Sequence, residues 1–345
     1  MRVLQVMAGG RHGGAETFFT RLVTALGRAG LEQRAVIRRH PERARALRAA
    51  GIEVVELGFG GAFDLLTRPR LRREIAAFKP DVVLTWMNRA ARFCPGAGSA
   101  GRRFVHAARL GGYYNLKYYR RCDHLIGITR GIVDYVVRGG WPPERAHHLP
   151  NFADIADAPA ADRAALDTPP DATVLLALGR LHENKALDVA IEALAQLPDA
   201  YLWIAGDGPL RRELEALAAR SGMAPRVRFL GWRENTAGLF AAADVCVYPS
   251  RAEPHGTVTL EAWAYGVPLV AAASVGPSEL IDDGVNGILV PIDDSGALAA
   301  AVARLIADRA LAARLVAAGR ATYEASYTES AVIRRYLEFF ARVTA

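Results

Sequence analysis

The chain has 345 residues, 51% of them apolar and 23% charged, with a formal net charge of +7; this length exceeds one ordinary core and fits two α/β domains with a sizeable interior. Three scattered cysteines, Cys94, Cys122 and Cys246, have no C-x-x-C spacing, which excludes a zinc site and suits reduced thiols of a cytoplasmic protein, and no apolar run approaches the roughly 18 residues of a membrane span. Charge is uneven: residues 1–165 hold 27 Lys and Arg against 14 Asp and Glu, while residues 166–345 hold 16 against 22, so the halves meet different partners or the amino half faces something anionic.

In chain order, residues 2–8 form a buried strand that opens the sequence at once, without a basic leader or long apolar run, so no signal peptide is expected. Gly9-Gly10-Arg11-His12-Gly13-Gly14 follows, then a helix whose Ala15, Phe18, Phe19, Leu22, Val23 and Leu26 make one apolar stripe. Such glycines let backbone approach a ligand at a helix start, or simply make a tight strand-to-helix turn. The G-x-G-x-x-G spacing of a dinucleotide site does not fit, and Glu16 in the first helical turn would repel a phosphate.

Strand signals recur at residues 33–37, 53–57, 81–85, 103–108 and 125–129, with helical patterns at 41–50, 69–78 and 133–137. This alternation predicts a parallel sheet with helices on both faces. The loops after two of these strands carry Trp86, Asn88 and Arg89, and Arg109, Gly111, Gly112, Tyr113 and Tyr114; by the strand-end rule they line a cleft. His106 alternates with apolar neighbours and reads as a satisfied core histidine, and His147 and His148 look incidental. Basic residues cluster at 34–48 and 68–79. In the second cluster Leu65, Leu66, Leu71 and Ile75 interleave with Arg68, Arg70, Arg72 and Arg73, which suits an amphipathic segment on an anionic membrane surface or a solvated helix face over a core stripe. No aromatic-and-basic RNA signature is present, so no nucleic-acid partner is expected.

Residues 151–171, rich in Ala, Asp and Pro, have linker composition. A second α/β unit then opens with a strand at 174–178 that ends in Gly179-Arg180-Leu181-His182-Glu183-Asn184-Lys185. A helix at 187–197 and a strand at 201–205 follow, the latter ending in Gly206-Asp207-Gly208-Pro209. A further strand at 227–230 ends in Gly231-Trp232-Arg233. Arg180 and Lys185, two cations between a buried strand and a helix start, suit a diphosphate clamp; alternatively one of them pairs with Glu183 or Asp188.

Residues 251–268 read RAEPHGTVTLEAWAYGVP and carry Glu253 and Glu261. Pro254 and Gly256 hold the first in a loop, while Leu260-Glu261-Ala262-Trp263-Ala264 places the second inside a helix that starts near Thr257. That helix start aims backbone N–H groups at the Glu253 loop, a ready anion site. Apolar strands at 244–250 and 269–271 flank the unit, so the loop lies at the carboxyl end of its strand. Helices are expected at 297–306, 309–318 and 328–343, the last with Ile333, Leu337, Phe340 and Val343 on one side.

Taken together, Gly179-Arg180 with Lys185, Ala205-Gly206-Asp207-Gly208-Pro209, Phe229-Leu230-Gly231, Ala242-Ala243-Asp244-Val245, Tyr248-Pro249-Ser250, the two-glutamate stretch and Gly284-Val285-Asn286-Gly287 resemble the retaining nucleotide-sugar glycosyltransferases of GT-B fold, most closely family 4. Gly13-Gly14-Ala15-Glu16 and Leu149-Pro150-Asn151 resemble it more weakly. The resemblance implies two Rossmann-like, doubly wound domains facing across a cleft, at residues 1–160 for the acceptor and 161–325 for the donor. A helix at 326–345 crosses back to the first, and the domains close about hinges near 151–170 and Tyr327.

It further implies that Arg180 and Lys185 hold the donor diphosphate, that Glu261 binds the ribose hydroxyls and that Glu253 contacts the transferred sugar. Arg180, Lys185 and Glu253 form the implied catalytic set. Backbone at His255, Gly256, Thr257 and Val258 would meet sugar and phosphate, and Gly179, Gly206, Trp232 and Arg233 complete the donor residues. Many relatives have Glu-Gly-Phe-Gly where this chain has Glu253-Pro254-His255-Gly256. Gly13, Gly14, Asn88, Arg109 and Asn151 are assigned to the acceptor or cleft, Arg109 standing where many members place a histidine.

The expected activity is a metal-independent, hexosyltransferase-type transfer from a UDP-, GDP- or ADP-sugar to a glycan or lipid-linked acceptor in envelope polysaccharide or lipopolysaccharide biosynthesis. Asp293-Asp294 lacks the Asp-x-Asp spacing of a metal site, and fixed cations with helix N-termini replace the ion, so no cofactor is expected. The enzyme is expected to be cytoplasmic, peripheral on the inner membrane face. An epimerase of the same fold and an inactive nucleotide-sugar-binding module are the alternatives.

Overall fold

The computed structural model describes residues 1–10, 13–60, 64–96, 104–153, 155–233 and 235–345. The chain divides into two units, one of Met1–Asn151 with Glu329–Ala345 and one of Phe152–Thr328. In the first unit, β1 (Arg2–Met7), α1 (Gly14–Arg28), β2 (Glu32–Arg38), α2 (Pro41–Ala49), β3 (Glu53–Leu57), α3 (Thr67–Phe78), β4 (Val82–Trp86), α4 (Met87–Phe93), β5 (Val105–Leu110), β6 (His124–Gly127), α5 (Arg130–Arg138) and β7 (Ala146–His148) follow one another. The second contains β8 (Thr173–Leu178), α6 (Leu187–Leu194), β9 (Ala200–Ala205), α7 (Arg211–Arg220), β10 (Val227–Gly231), α8 (Ala237–Ala242), β11 (Val245–Tyr248), α9 (Thr257–Tyr265), β12 (Leu269–Ala272), α10 (Val275–Leu280), β13 (Ile288–Val290), α11 (Ser295–Ala307) and α12 (Arg309–Ser326). The last helix, α13 (Glu329–Thr344), belongs to the first unit.

Both sheets are parallel, in the orders β3-β2-β1-β4-β5-β6-β7 and β10-β9-β8-β11-β12-β13. Parallel strands are covered on both faces, and the apolar runs of β1, β4, β8 and β11 are accordingly buried almost throughout. Strand order reverses between β1 and β4 and between β8 and β11, so each unit has one place where consecutive loops diverge at the carboxyl ends.

Most predicted elements agree to within two residues at their starts. The strand expected at 103–108 lies two residues later, and Arg103 falls outside the described residues. The polar segment after β4 is helical from Met87, which opens α4 with φ +60°. Residues 155–171, of linker composition, pack on the second unit: Arg163 donates to the carbonyls of Ala242, Pro170 and Ala172 and pairs with Asp244, and the buried Thr168 hydroxyl accepts from the Trp203 indole at 3.0 Å. The expected stripe of three leucines and one isoleucine splits, Leu71 and Ile75 of α3 entering the core while Leu65 and Leu66, just before the helix, remain 80% and 63% exposed.

His106 is a core histidine. Its ring lies 3.0 Å from the Thr85 hydroxyl and 3.2 Å from the Arg121 carbonyl, and burial lowers its pKa from 6.5 to about 4. His147, placed in β7, has a role the sequence did not show. It contacts His124 at 3.0 Å and packs on Phe339 of α13, and burial together with His124 and Arg342 lowers its pKa to about 4. A histidine kept neutral on folding lets the unfolded chain take up the proton first. Stability is therefore intact above pH 6.5 and falls as pH drops toward 4. Lowering the pH from 7 to 5 should cost on the order of 2 kcal/mol at His106 alone, and His106→Gln should flatten the pH dependence of the first unit's unfolding midpoint.

Candidate functional site

The second unit gathers its polar groups where β8 and β11 part. Leaving β8, Gly179 donates to the Ala205 carbonyl at 3.0 Å, and Gly206 donates to the Gly231 carbonyl at 2.8 Å. A Cβ at position 206 would overlap the Gly179 carbonyl, so these loops press together only because 206 is glycine. Lys185, at the end of a short helical turn over Glu183–Lys185, runs its stem past Gly179 and reaches across to Glu253.

The Lys185 ammonium forms an ion pair with Glu253 Oε2, the two side chains being 21% and 14% exposed. The ammonium also lies 5.3 Å from the centre of the Tyr248 ring. Burial works against ionisation of Glu253, but Lys185, the Tyr248 hydroxyl and the Gly256 N–H outweigh it and hold the carboxyl below its usual range. The Tyr248 phenol, buried and facing both Glu253 and Glu261, is pushed well above its ordinary value.

Glu261 is half-buried in α9, a helix that begins after Gly256 at φ +84° with no side-chain cap. Its first-turn N–H groups at Thr257 and Val258 stand beside the Glu253 loop. Trp263 of the same helix donates to the Asn286 carbonyl at 2.7 Å and packs against Gly319 of α12, where any side chain would overlap the indole. Gly276 closes on the His255 backbone in the same way, and His255 is buried with its ring 3.5 Å from the Thr257 hydroxyl.

Arg180 is exposed at the mouth of the β8 loop and makes no hydrogen bond or ion pair among the described residues. Asp188, weighed from sequence as a partner of Arg180 or Lys185, instead takes Arg251 at 2.6 Å, and Arg251 also reaches Asp293 at 2.5 Å and the Glu183 carbonyl at 2.9 Å. Arg251 thus ties the glutamate loop to α6 and to the turn after β13. Trp232 and Arg233 follow β10 at the sheet edge, both exposed. Arg233 lines a cavity of about 250 Å³ with Ala161, Asn235, Gly238 and Leu239, and none of the Lys185, Glu253 and Glu261 side chains reaches it.

Sequence reasoning passed over Tyr248 and Arg251. Tyr248 was visible as part of an apolar strand and of the Tyr248-Pro249-Ser250 motif but with no role assigned, and Arg251 only as one more cation beside the loop. Their partners lie far off in sequence, so spacing carried no signal.

In the first unit, Gly13 and Gly14 open α1 and are exposed, while Arg11 and His12 lie outside the described residues. Glu16 folds back to accept from the Gly10 N–H at 2.7 Å and fills the space over Gly9 and Gly13, so this loop already holds an acidic group. Arg43, also buried, donates to the Gly10 carbonyl at 3.2 Å. Asn88 is half-buried in α4.

Arg109 departs from the cleft position assigned to it. It is 2% exposed, with its guanidinium 4.7 Å from the Phe18 ring and 4.5 Å from the Trp86 ring. It donates to the Tyr336 hydroxyl at 2.8 Å and to Asn151. The physical reason is that α1 and α13 cover the end of β5 with aromatic faces, which offset the desolvation of the cation. Arg109 and Asn151 form an internal bolt of the unit.

Two sheets of this order, with a cation, two carboxylates and an open helix start at one switch point, define the architecture of a GT-B glycosyltransferase. Residues 172–308 match the family model for glycosyl transferases group 1, and residues 12–157 match that for Glycosyltransferase Family 4. The chain is 39% identical to the lipopolysaccharide core biosynthesis glycosyltransferase LpsE of Rhizobium meliloti, over 96% of this chain and 97% of that one. It is 37% identical to LpsD of the same organism, over 100% and 99%. Among solved structures, Anabaena Alr3699/HepE in complex with UDP superposes with a TM-score of 0.86 at 22% identity, covering 99% of this chain and 100% of that one. The chain belongs to glycosyltransferase family 4, and it is a glycosyltransferase.

Proposed function

We propose that this enzyme moves a sugar, with retention of configuration and without a metal ion, from a nucleotide-sugar donor to a hydroxyl of a glycan or lipid-linked acceptor in lipopolysaccharide or related envelope polysaccharide assembly. The observation that carries the donor assignment is the meeting of Lys185, Glu253 and the uncapped start of α9 at the β8/β11 switch point. LpsE and LpsD, similar over nearly their whole length, support the acceptor class. The HepE structure holds UDP, which is in keeping with a nucleotide donor.

Breaking the sugar–phosphate bond builds negative charge on the departing diphosphate and positive charge on the anomeric carbon. Lys185, the exposed Arg180 and the α9 N–H groups draw off the former. Glu261 holds the ribose hydroxyls, and Glu253 takes hydroxyls of the sugar. Glu253 is engaged by Lys185 and Tyr248, which suits a binding role, so the acceptor hydroxyl attacks from the face the leaving phosphate vacates, and that phosphate receives its proton.

The membrane reading has a defined surface. Leu65 and Leu66 are exposed at the start of α3, beside exposed Arg68, Arg70, Arg72 and Arg73, which pairs apolar insertion with attraction to anionic lipid on the cytoplasmic face. In the other basic cluster, Arg34 is neutralised by Glu53 and Glu74. Among the described residues no helix is long and apolar enough to cross a membrane.

With a panel of UDP-, GDP- and ADP-sugars and a deacylated lipopolysaccharide-core acceptor, Arg180→Ala should lower kcat by a factor on the order of 100 to 1,000, the usual loss for one transition-state contact. Donor turnover undiminished in that variant would remove the site, and donor conversion without acceptor would mark an epimerase. Chelation with EDTA should leave transfer intact; its abolition would reject metal independence. Leu65→Glu with Leu66→Glu should weaken sedimentation with phosphatidylglycerol vesicles several-fold, and equal wild-type binding to neutral vesicles would dismiss the membrane surface.

A further inference from the structure

Two of the groups that would hold a donor phosphate, the Lys185 ammonium and the backbone N–H groups at the entry to α9, are already engaged by a side chain of the enzyme. Glu253 Oε2 takes the Lys185 ammonium, while Oε1 faces the backbone N–H groups of His255 at 3.4 Å and Gly256 at 3.3 Å, at the entry to α9. A carboxylate spanning an ammonium and a helix start occupies the same electrostatic niche as a phosphate. The two side chains keep 21% and 14% of their surface exposed, so the pair is open to a ligand from solvent.

We propose that Glu253 is an internal competitor for the donor diphosphate, and that this competition makes the site prefer the intact nucleotide-sugar to the nucleoside diphosphate left after transfer. This proposal rests on the donor site described above. When the nucleotide-sugar enters, its diphosphate takes Lys185 and the released carboxylate accepts hydrogen bonds from the sugar hydroxyls, so no buried charge is left bare. Once the sugar has gone to the acceptor, those hydroxyls are gone too. Glu253 then faces a nucleoside diphosphate that offers it no sugar hydroxyl, and a carboxylate beside two phosphates competing for one ammonium is unfavourable. Recapture of Lys185 by Glu253 relieves this and releases the product.

The role of Glu253 is thus double: it holds the sugar before transfer and displaces the nucleotide afterwards. A neutral amide of the same shape would keep hydrogen bonds to sugar hydroxyls but surrender the ion pair. Lys185 would then wait uncompensated for any diphosphate.

Isothermal titration of UDP, GDP and ADP into wild type, Glu253→Gln, Glu253→Ala and Lys185→Ala tests this. The diphosphate that binds wild type should bind Glu253→Gln and Glu253→Ala about tenfold or more tightly, as expected when a charge-assisted contact no longer competes. It should bind Lys185→Ala more weakly than wild type. Product inhibition constants in Glu253→Gln should fall by the same factor. Equal or weaker diphosphate binding in whichever Glu253 variants retain the wild-type unfolding transition would overturn the competitor role while leaving the donor site standing. Failure of all three diphosphates to bind both wild type and the Glu253 variants would overturn the donor site, and this proposal with it.

Discussion

The structure turns on a reversal of strand order. In each sheet the chain winds outward on one side and then starts again on the other, so the loops leaving β1 and β4, and those leaving β8 and β11, have no covering helix between them. In the second unit this gap is where Lys185 and Glu253, 68 residues apart in sequence, come into contact. Glycine at 206 lets the neighbouring loop lie flush, and glycine at 276 does the same for the loop after β12. Side-chain chemistry at the site is therefore placed by backbone packing.

The electrostatics follow from that placement. An ion pair as covered as this one, with 21% and 14% of its side chains exposed, gains Coulomb energy but loses hydration, and the two nearly balance. Such a pair contributes little net stability. Tyr248 beneath it supplies a ring to the ammonium and a hydroxyl to the carboxylate, and Arg251 braces the loop from the opposite side with Asp188 and Asp293. The site combines close-packed backbone with one ion pair at its centre.

Much of this was legible in the sequence because it is periodic or local. Buried parallel strands announce themselves as apolar runs, and Pro254 and Gly256 against Leu260–Ala264 fix one glutamate in a loop and the other in a helix. His106, flanked by apolar residues, read as a core group. The rest depends on long-range geometry. Arg109 looked like a cleft residue because it ends a strand, and only α13, some 220 residues on, turns it inward. The α7 helix, RRELEALAAR, offers too few apolar positions to stand out, and α4 starts on a left-handed methionine that no propensity foretells. Leu65, Leu66, Leu71 and Ile75 share one pattern in sequence, yet the helix begins between them, so one pair enters the core and the other faces solvent.

The aromatic cage around Arg109 bears on how the polypeptide is made. Tyr336, Phe339 and Phe340 of α13 are fully buried against the first unit, so a nascent chain that has emerged only as far as Asn151 carries an unclosed apolar face and a cation without its phenol partner. Domains ordinarily mature in the order the ribosome delivers them. Here the first unit to emerge lacks its closing helix until residues 329–345 arrive, after the whole second unit has been made.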